Sequence, residues 1–178
     1  MRFSENLLIA RIVLAVAIIA SLILGGGNAL LDQRTAAESR FYANSESISA
    51  ELNEMRSNAA VLASIAGKYD AADKAFITAL NDAVSSLDSA EHISDKHHAS
   101  LKLDTAVENV YSNLTGLKLG DMDAQDARYA YKNFSSAQMR IEHDGYNDLA
   151  HQFNQDLGKF PAHLLGMLRG IKPLDLFR

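Results

Sequence analysis

The stretch YNDLAHQFNQDLGKFP, residues 146–161, repeats an aromatic-asparagine pair after seven positions and then closes on Phe160 and Pro161. Seven residues make about two turns of α-helix, so Tyr146, Phe153 and Phe160 are expected to stack into one ridge, a packing seam. Asn147 and Asn154 form a second ridge about 100° further round, where an amide bonds across to a neighbour or meets water. Proline has no amide hydrogen and disfavours helix in the residue before it, so Pro161 marks the stop of a long helix. The period alone is also what plain core packing produces.

Working outward, a chain of 178 residues holds one domain with a substantial core. Tryptophan and cysteine are absent and proline occurs twice, while alanine, leucine, serine and aspartate recur. That composition predicts an all-α fold. The formal net charge is −5 and no basic run tracks a phosphate backbone, so nucleic acid is not an expected partner. Without cysteine there is no disulfide, thiolate metal site, catalytic thiol or acylated lipobox.

Residues 7–24, LLIARIVLAVAIIASLIL, carry a single charge at Arg11. At 1.5 Å per residue they reach about 27 Å, close to the ~30 Å of a hydrocarbon core. Arg11 can snorkel to the interface while Ile12 and the residues after it stay in lipid. A membrane anchor marked by Leu7, Ile12, Val16, Ile19 and Leu24 is the expectation. A cleaved leader, with the small residues GGGNA at 25–29 following the apolar run, is the rival, and a buried helix of a soluble protein the third option. Arg2 and Arg11 on one flank face Arg34 and Arg40 on the other, so orientation is set only by a slight lean of the body to the outside of the cytoplasm.

The glycines Gly25, Gly26 and Gly27 predict a weak joint, since each costs about 1 kcal/mol against alanine inside a helix. Beyond them Ala37, Phe41, Ile48, Leu52, Met55, Ala59, Leu62, Ala66 and Tyr69 step mostly by four and three, with Ser45 in the one gap. One helix over 28–69 follows, either separate from the membrane segment or continuous with it. Asp70 or Asp73 caps a second, with Phe76, Leu80, Val84 and Leu87 as its stripe. The polar run at 91–100 is a break or a weak helical join. Leu103, Val107, Val110, Leu114 and Leu117 resume the pattern, Gly116 and Gly120 bracket a turn, and Asp121 or Asp123 opens a last helix running to Phe160, about 55 Å if unbroken. Residues 1–27 thus form an anchor and joint, 28–161 an elongated antiparallel up-and-down helical bundle, and 162–178 an apolar cap.

The pattern Y-N-x5-F-N-x5-F-P, carried by Tyr146, Asn147, Phe153, Asn154, Phe160 and Pro161 and followed by Leu-Leu-Gly-Met-Leu-Arg-Gly and a late Phe177, resembles the C-terminal signature of the LemA family of bacterial membrane proteins. Arg140-Ile141, the anchor and the long helix near Asn28 are similar too. Where family members carry Arg-x-Asp-Leu-Ile-Pro-Asn-Leu, this chain has Arg56-Ser57-Asn58-Ala59-Ala60-Val61-Leu62, a departure from the pattern. The resemblance implies a membrane-anchored helical bundle with no assigned catalytic activity.

Chemistry-bearing patterns are sparse. Asp95-x-x-His98 and Asp148-x-x-His151 echo the carboxylate-histidine pairs of di-iron bundles, yet His97 and His98 sit in the most polar run of the chain. The glycine run follows an apolar helix and lacks a Lys-Ser/Thr, which speaks against a phosphate cradle. No catalytic residue, cofactor or metal is expected. The leading expectation is a non-enzymatic, single-pass protein of the cell membrane that scaffolds or binds envelope proteins of unknown identity, with homo-oligomerisation open. A sensory or ligand-binding bundle with a cavity lined by Tyr131, Phe134 and Tyr146 is the alternative, short of a cytoplasmic partner domain because only residues 1–6 precede the span. A metal-dependent enzyme ranks third.

Overall fold

A computed structural model of the chain describes residues 2–43 and 45–178; Met1, the start of the short segment before the apolar run, lies outside them. Every regular element is an α-helix: α1 (Arg2–Tyr42), α2 (Ile48–Gly67), α3 (Lys74–Ser89), α4 (Ile93–Thr115), α5 (Asp121–Glu142), α6 (Tyr146–Leu157) and α7 (Ala162–Arg169). No strand occurs among the described residues. The chain divides into two compact units, Met1–Glu38 with Asp148–Leu174, and Ser39–Asn147 with Asp175–Arg178.

The second unit is built around α2, which packs against α3, α4 and α5, while α3 packs on α4. Most of the predicted steps are buried: Leu52, Met55, Ala59 and Leu62 of α2, Leu80 of α3, and Leu103, Val107, Val110 and Leu114 of α4 are nearly inaccessible, whereas Phe76, Val84 and Leu117 are half-buried. Each large aliphatic side chain removed from water contributes about 1.5–3 kcal/mol. Two polar rungs fix the direction of α5 against α2. Near the start of α2, Glu51 meets Arg140 in the last turn of α5; past the end of α2, Lys68 meets Asp123 in the first turn of α5. The two helices therefore run antiparallel. Asp73 caps α3, its Oδ1 accepting the Ala75 amide at 2.8 Å, and its own amide donates to Asn113 Oδ1 near the end of α4 at 3.0 Å.

Two predicted continuities are broken, each for a local reason. The helix expected over 28–69 is two helices, because Ser47 serves as an N-cap whose Oγ accepts the Ala50 amide at 3.3 Å; Ser45, the gap in the apolar steps, lies in the connection. The long last helix is likewise two. His143, Asp144 and Gly145 interrupt it, and Asp144 Oδ1 accepts the Tyr146 amide at 2.8 Å, an Asx-type bond that restarts the chain as α6. The polar run at 91–100 breaks only at its start, since α4 begins at Ile93. The unfamiliar stretch 56–62 makes no kink: α2 runs through it, with Asn58 Nδ2 bonded to the Glu54 carbonyl at 2.8 Å.

The first unit corrects the glycine joint. Gly25, Gly26 and Gly27 are helical and α1 continues through them. A β-carbon on Gly26 would stand 2.7 Å from Leu165 Cδ1, and one on Gly27 2.5 Å from Arg169 Nε and 3.0 Å from its Cγ, whereas one on Gly25 would meet nothing within 4 Å. The missing side chains let α7 approach α1. Arg169 then donates to the Leu24 carbonyl at 3.3 Å and to Asn28 Oδ1. α7 ends in a left-handed Gly170 (φ 65°), with the Ile171 amide returning to the Gly166 carbonyl at 2.9 Å, a Schellman turn that redirects the chain.

Replacing Gly25 by alanine is expected to stabilise the helix by up to about 1 kcal/mol, whereas Gly27→Ala is expected to loosen α7. Amide exchange over residues 162–170 checks this: it should accelerate in Gly27→Ala and stay at the parent rate in Gly25→Ala.

Candidate functional site

The residues of the aromatic-asparagine repeat grip the extended segment that follows α7. Asn147 Nδ2 donates to the Phe177 carbonyl at 2.9 Å while its Oδ1 accepts the Phe177 amide at 2.8 Å. Asn154 does the same to Leu174, at 2.8 Å and 2.7 Å. A carboxamide offers the same donor and acceptor as a peptide unit, so each asparagine satisfies both backbone groups of one residue, as a strand neighbour would.

Tyr146 is fully buried; its hydroxyl donates to the Asp175 carbonyl at 2.6 Å. Its ring meets Phe41 edge-on at 5.2 Å; Phe177 lies 5.8 Å from Phe41 and 4.9 Å from His97. Phe153 is buried in the first unit. Phe160 corrects the three-membered seam: α6 stops at Leu157, so Phe160 falls out of helical step and is 85% exposed. Pro161 occupies the N-cap of α7, where its carbonyl accepts the Leu165 amide at 3.1 Å and its lack of an N–H costs nothing.

The charged rungs are the residues that sequence reasoning missed. Arg140 holds Glu51 with two nitrogens, at 2.8 and 2.7 Å, and reaches Glu54 at 2.8 Å. Glu51 is buried and lies between Ile48 and Leu52 of the apolar stripe, a position that was its only sequence signal. The hydrogen bonding to Glu51, above all, raises the affinity of the Arg140 guanidinium for its proton. Asp144, its side chain 5% exposed, pairs with Arg40 at 3.0 Å. Asp123 accepts from Lys68 and Tyr69, which hold its carboxyl below the usual range. The Tyr69 hydroxyl also accepts the Gly120 amide at 2.9 Å, closing the start of α5.

The other candidates are dispersed. Tyr131 stacks flat on Tyr111 at 3.9 Å and donates to Glu108 at 2.6 Å, a bond that raises its phenol pKa, whereas Phe134 is packed in the core. Asp95, His98, Asp148 and His151 are exposed, and His151 Nε2 lies 2.9 Å from Gln155 Nε2. Among the described residues no three His, Asp or Glu side chains converge on a point fit for a metal ion.

The remaining feature is α1 itself. It is the one helix long and apolar enough to cross a membrane among the described residues, with a mean hydropathy of 2.4 in its most apolar window and none of that window buried. Leu7, Ile12, Val16, Ile19 and Leu24 are all more than half exposed, as are Ile9, Val13, Leu14 and Ile18 on the other sides of the helix. No family profile, curated protein or solved structure matches the chain.

Asn147→Asp and Asn154→Asp each exchange a donor for an acceptor facing a carbonyl and are expected to cost about 1–3 kcal/mol, read as faster amide exchange at Phe177 and Leu174 respectively. Arg140→Ala leaves buried Glu51 unpaired; because the guanidinium is half-exposed its expected cost is about 1–3 kcal/mol, against about 0–1 for Glu54→Ala, by chemical denaturation.

A pH dependence follows from His97. Burial, with His98 secondary, lowers its pKa, and its Nδ1 is buried without a hydrogen-bond partner among the described residues. Because the unfolded imidazole titrates near ~6.5, the stabilisation is complete above that value and is lost as pH falls through the lower folded value. Exchange at Phe177, corrected for intrinsic pH effects, should therefore accelerate on acidification below about 6.5, and His97→Phe should abolish that slope.

Proposed function

We propose that this chain is a single-pass, membrane-anchored helical protein, kin to the LemA family, whose body acts without catalysis as an interaction or scaffold element of the bacterial envelope. In this reading the apolar part of α1 crosses the bilayer, α2 to α5 make an up-and-down bundle, and the body lies outside the cytoplasm. The observation that carries it is the exposure of residues 9–21 on every side of an apolar helix. A helix apolar all round needs an apolar solvent, and among the described residues none of positions 9–21 is buried against the chain.

Kinship is supported by the division of labour within the motif. Tyr146, Asn147 and Asn154 each bond the backbone of the segment after α7, and Phe153 is buried beside the last of these positions. Residues chosen to hold a chain in place are what a signature without catalysis would preserve. The polar groups of the body support a binding role over turnover, since they are spent in pairs along helix edges rather than aimed into one cleft.

Membrane fractions washed with high salt and then with alkaline carbonate are expected to retain the intact chain, and Val16→Glu with Ile19→Glu is expected to release it, at roughly +2.5 kcal/mol or more for each charge placed mid-span. Recovery of the unaltered chain in the soluble phase with its N-terminus intact would remove the anchor.

A further inference from the structure

α7 exposes a large apolar face that nothing among the described residues covers. Leu164, Met167 and Leu168 are 50%, 69% and 57% exposed, and Phe160 just before the helix is 85% exposed. Positions 164, 167 and 168 are spaced i, i+3 and i+4, which places them on one side of the helix. The other side is occupied. Leu165 lies over Gly26, a β-carbon on Gly166 would stand 2.6 Å from Leu157, and Arg169 lies over Gly27. The exposed face is therefore a second, separate stripe of an eight-residue helix.

The attachment point sets its height along α1. Leu24 is the last residue of the apolar run, and Arg169 donates to its carbonyl and to Asn28 Oδ1. Residues 24 to 28 span only about 6 Å of helix axis, and the headgroup layer of one leaflet is roughly 5–7 Å deep. A helix fastened between those residues lies within that layer if α1 crosses the bilayer.

Charge points to the same occupant. Between Asp156 and Asp175 the sequence contains Lys159, His163, Arg169 and Lys172 and no aspartate or glutamate, although the whole chain carries a formal charge of −5; Lys159 is paired with Asp156 at 2.8 Å. Lys159, His163 and Lys172 are exposed. Basic residues flanking an apolar helical face are the composition of an interfacial segment that inserts hydrophobic side chains between headgroups and pairs with anionic lipid.

We infer that α7, with Phe160, is a second membrane contact, its Leu164–Met167–Leu168 face resting in the headgroup layer of the bilayer that α1 crosses. The inference rests on the transmembrane reading of α1 and adds to it a belt that fixes the azimuth and tilt of the anchor. Where a bare single helix is free to rotate about the membrane normal and to tilt, an interfacial helix bound to it at Leu24 and Asn28 is not.

The absence of native cysteine makes the test clean. Val16→Cys, Thr35→Cys, Leu164→Cys, Met167→Cys and Leu168→Cys, each in the full chain, are labelled with an environment-sensitive fluorophore and reconstituted into phosphatidylcholine–phosphatidylglycerol vesicles. Spin-labelled lipids carry the quencher either at the headgroup or deep in the acyl chain. Positions 164, 167 and 168 are expected to emit blue-shifted and to be quenched severalfold more by the headgroup label than by the deep one. Val16 should show the reverse preference, and Thr35, about 16 Å beyond Leu24 along α1, neither. Water-like emission at 164, 167 and 168 beside deep quenching at Val16 overturns the inference and leaves the anchor standing. Blue-shifted emission that no lipid label quenches assigns the face to a protein partner or a second copy and also overturns it. Loss of deep quenching at Val16 removes the anchor and the inference together.

Discussion

An extended segment laid along a helix has a difficulty that a strand in a sheet does not: the helix spends its own backbone donors and acceptors internally, so it offers none to its neighbour. Here the neighbour's backbone is satisfied by asparagine side chains instead, Asn147 on Phe177 and Asn154 on Leu174. Aspartate lacks the donor and leucine lacks both groups, so the residue type is dictated by the need for a donor and an acceptor on one short, stiff stem. Once the backbone is satisfied, the apolar side chains of the same segment can be buried, and Ile171, Leu174 and Phe177 are. The hydrophobic gain from these three depends on the polar clasp, because an unpaired backbone group taken out of water costs as much as a side chain gains.

The same trade governs the glycines of α1. Three glycines in a row weaken a helix, and on propensity alone they predict a hinge. The close approach of Leu165 and Arg169 supplies the compensation, since a helix surface without β-carbons admits a neighbour to a distance that alanine forbids. Arg169 meets a carbonyl of α1 near the end of the apolar run in a charge-assisted bond. Packing, and not backbone flexibility, accounts for Gly26 and Gly27; nothing in the structure explains Gly25.

What could be read from the sequence follows the range of each interaction. Helical periodicity, the Asp73 cap and the turn between Gly116 and Gly120 are local and are found where the residues predict them. The Asp144-Gly145 turn is equally local, but the apolar steps across it, Ile141 to Tyr146, resemble a continuing stripe and mask it. Counting sevens puts Phe160 on the seam, and the count fails because α6 ends first, at Leu157. The partners of Asn147, Asn154 and Arg140 lie 30, 20 and 89 positions away, and no pattern in a single chain announces such pairs. The exposure of Leu164, Met167 and Leu168 is hidden for a related reason: their spacing marks a face, and only the placement of Leu165 and Gly166 says which face is left over.

The rungs between α2 and α5 answer a problem of register. The buried residues of α5 are Ala127, Ala130, Phe134 and Ala137, so all but one are small. A face of alanines packs closely but has little relief, and sliding it along a partner by one turn changes the contact energy modestly. Glu51 and Lys68 on one side, and Asp123 and Arg140 on the other, are separated by equal numbers of residues, about 25 Å of helix axis. Both pairs can close only in a single antiparallel register, and a slip of one turn opens them together, stranding the buried Glu51 carboxylate. Half-exposed ion pairs add little to stability, but the cost of breaking one whose acid is buried is large enough to exclude the slipped arrangement. The charges therefore select among packings that the alanines alone would leave nearly equal, and Phe134 supplies the one steric key that agrees with them.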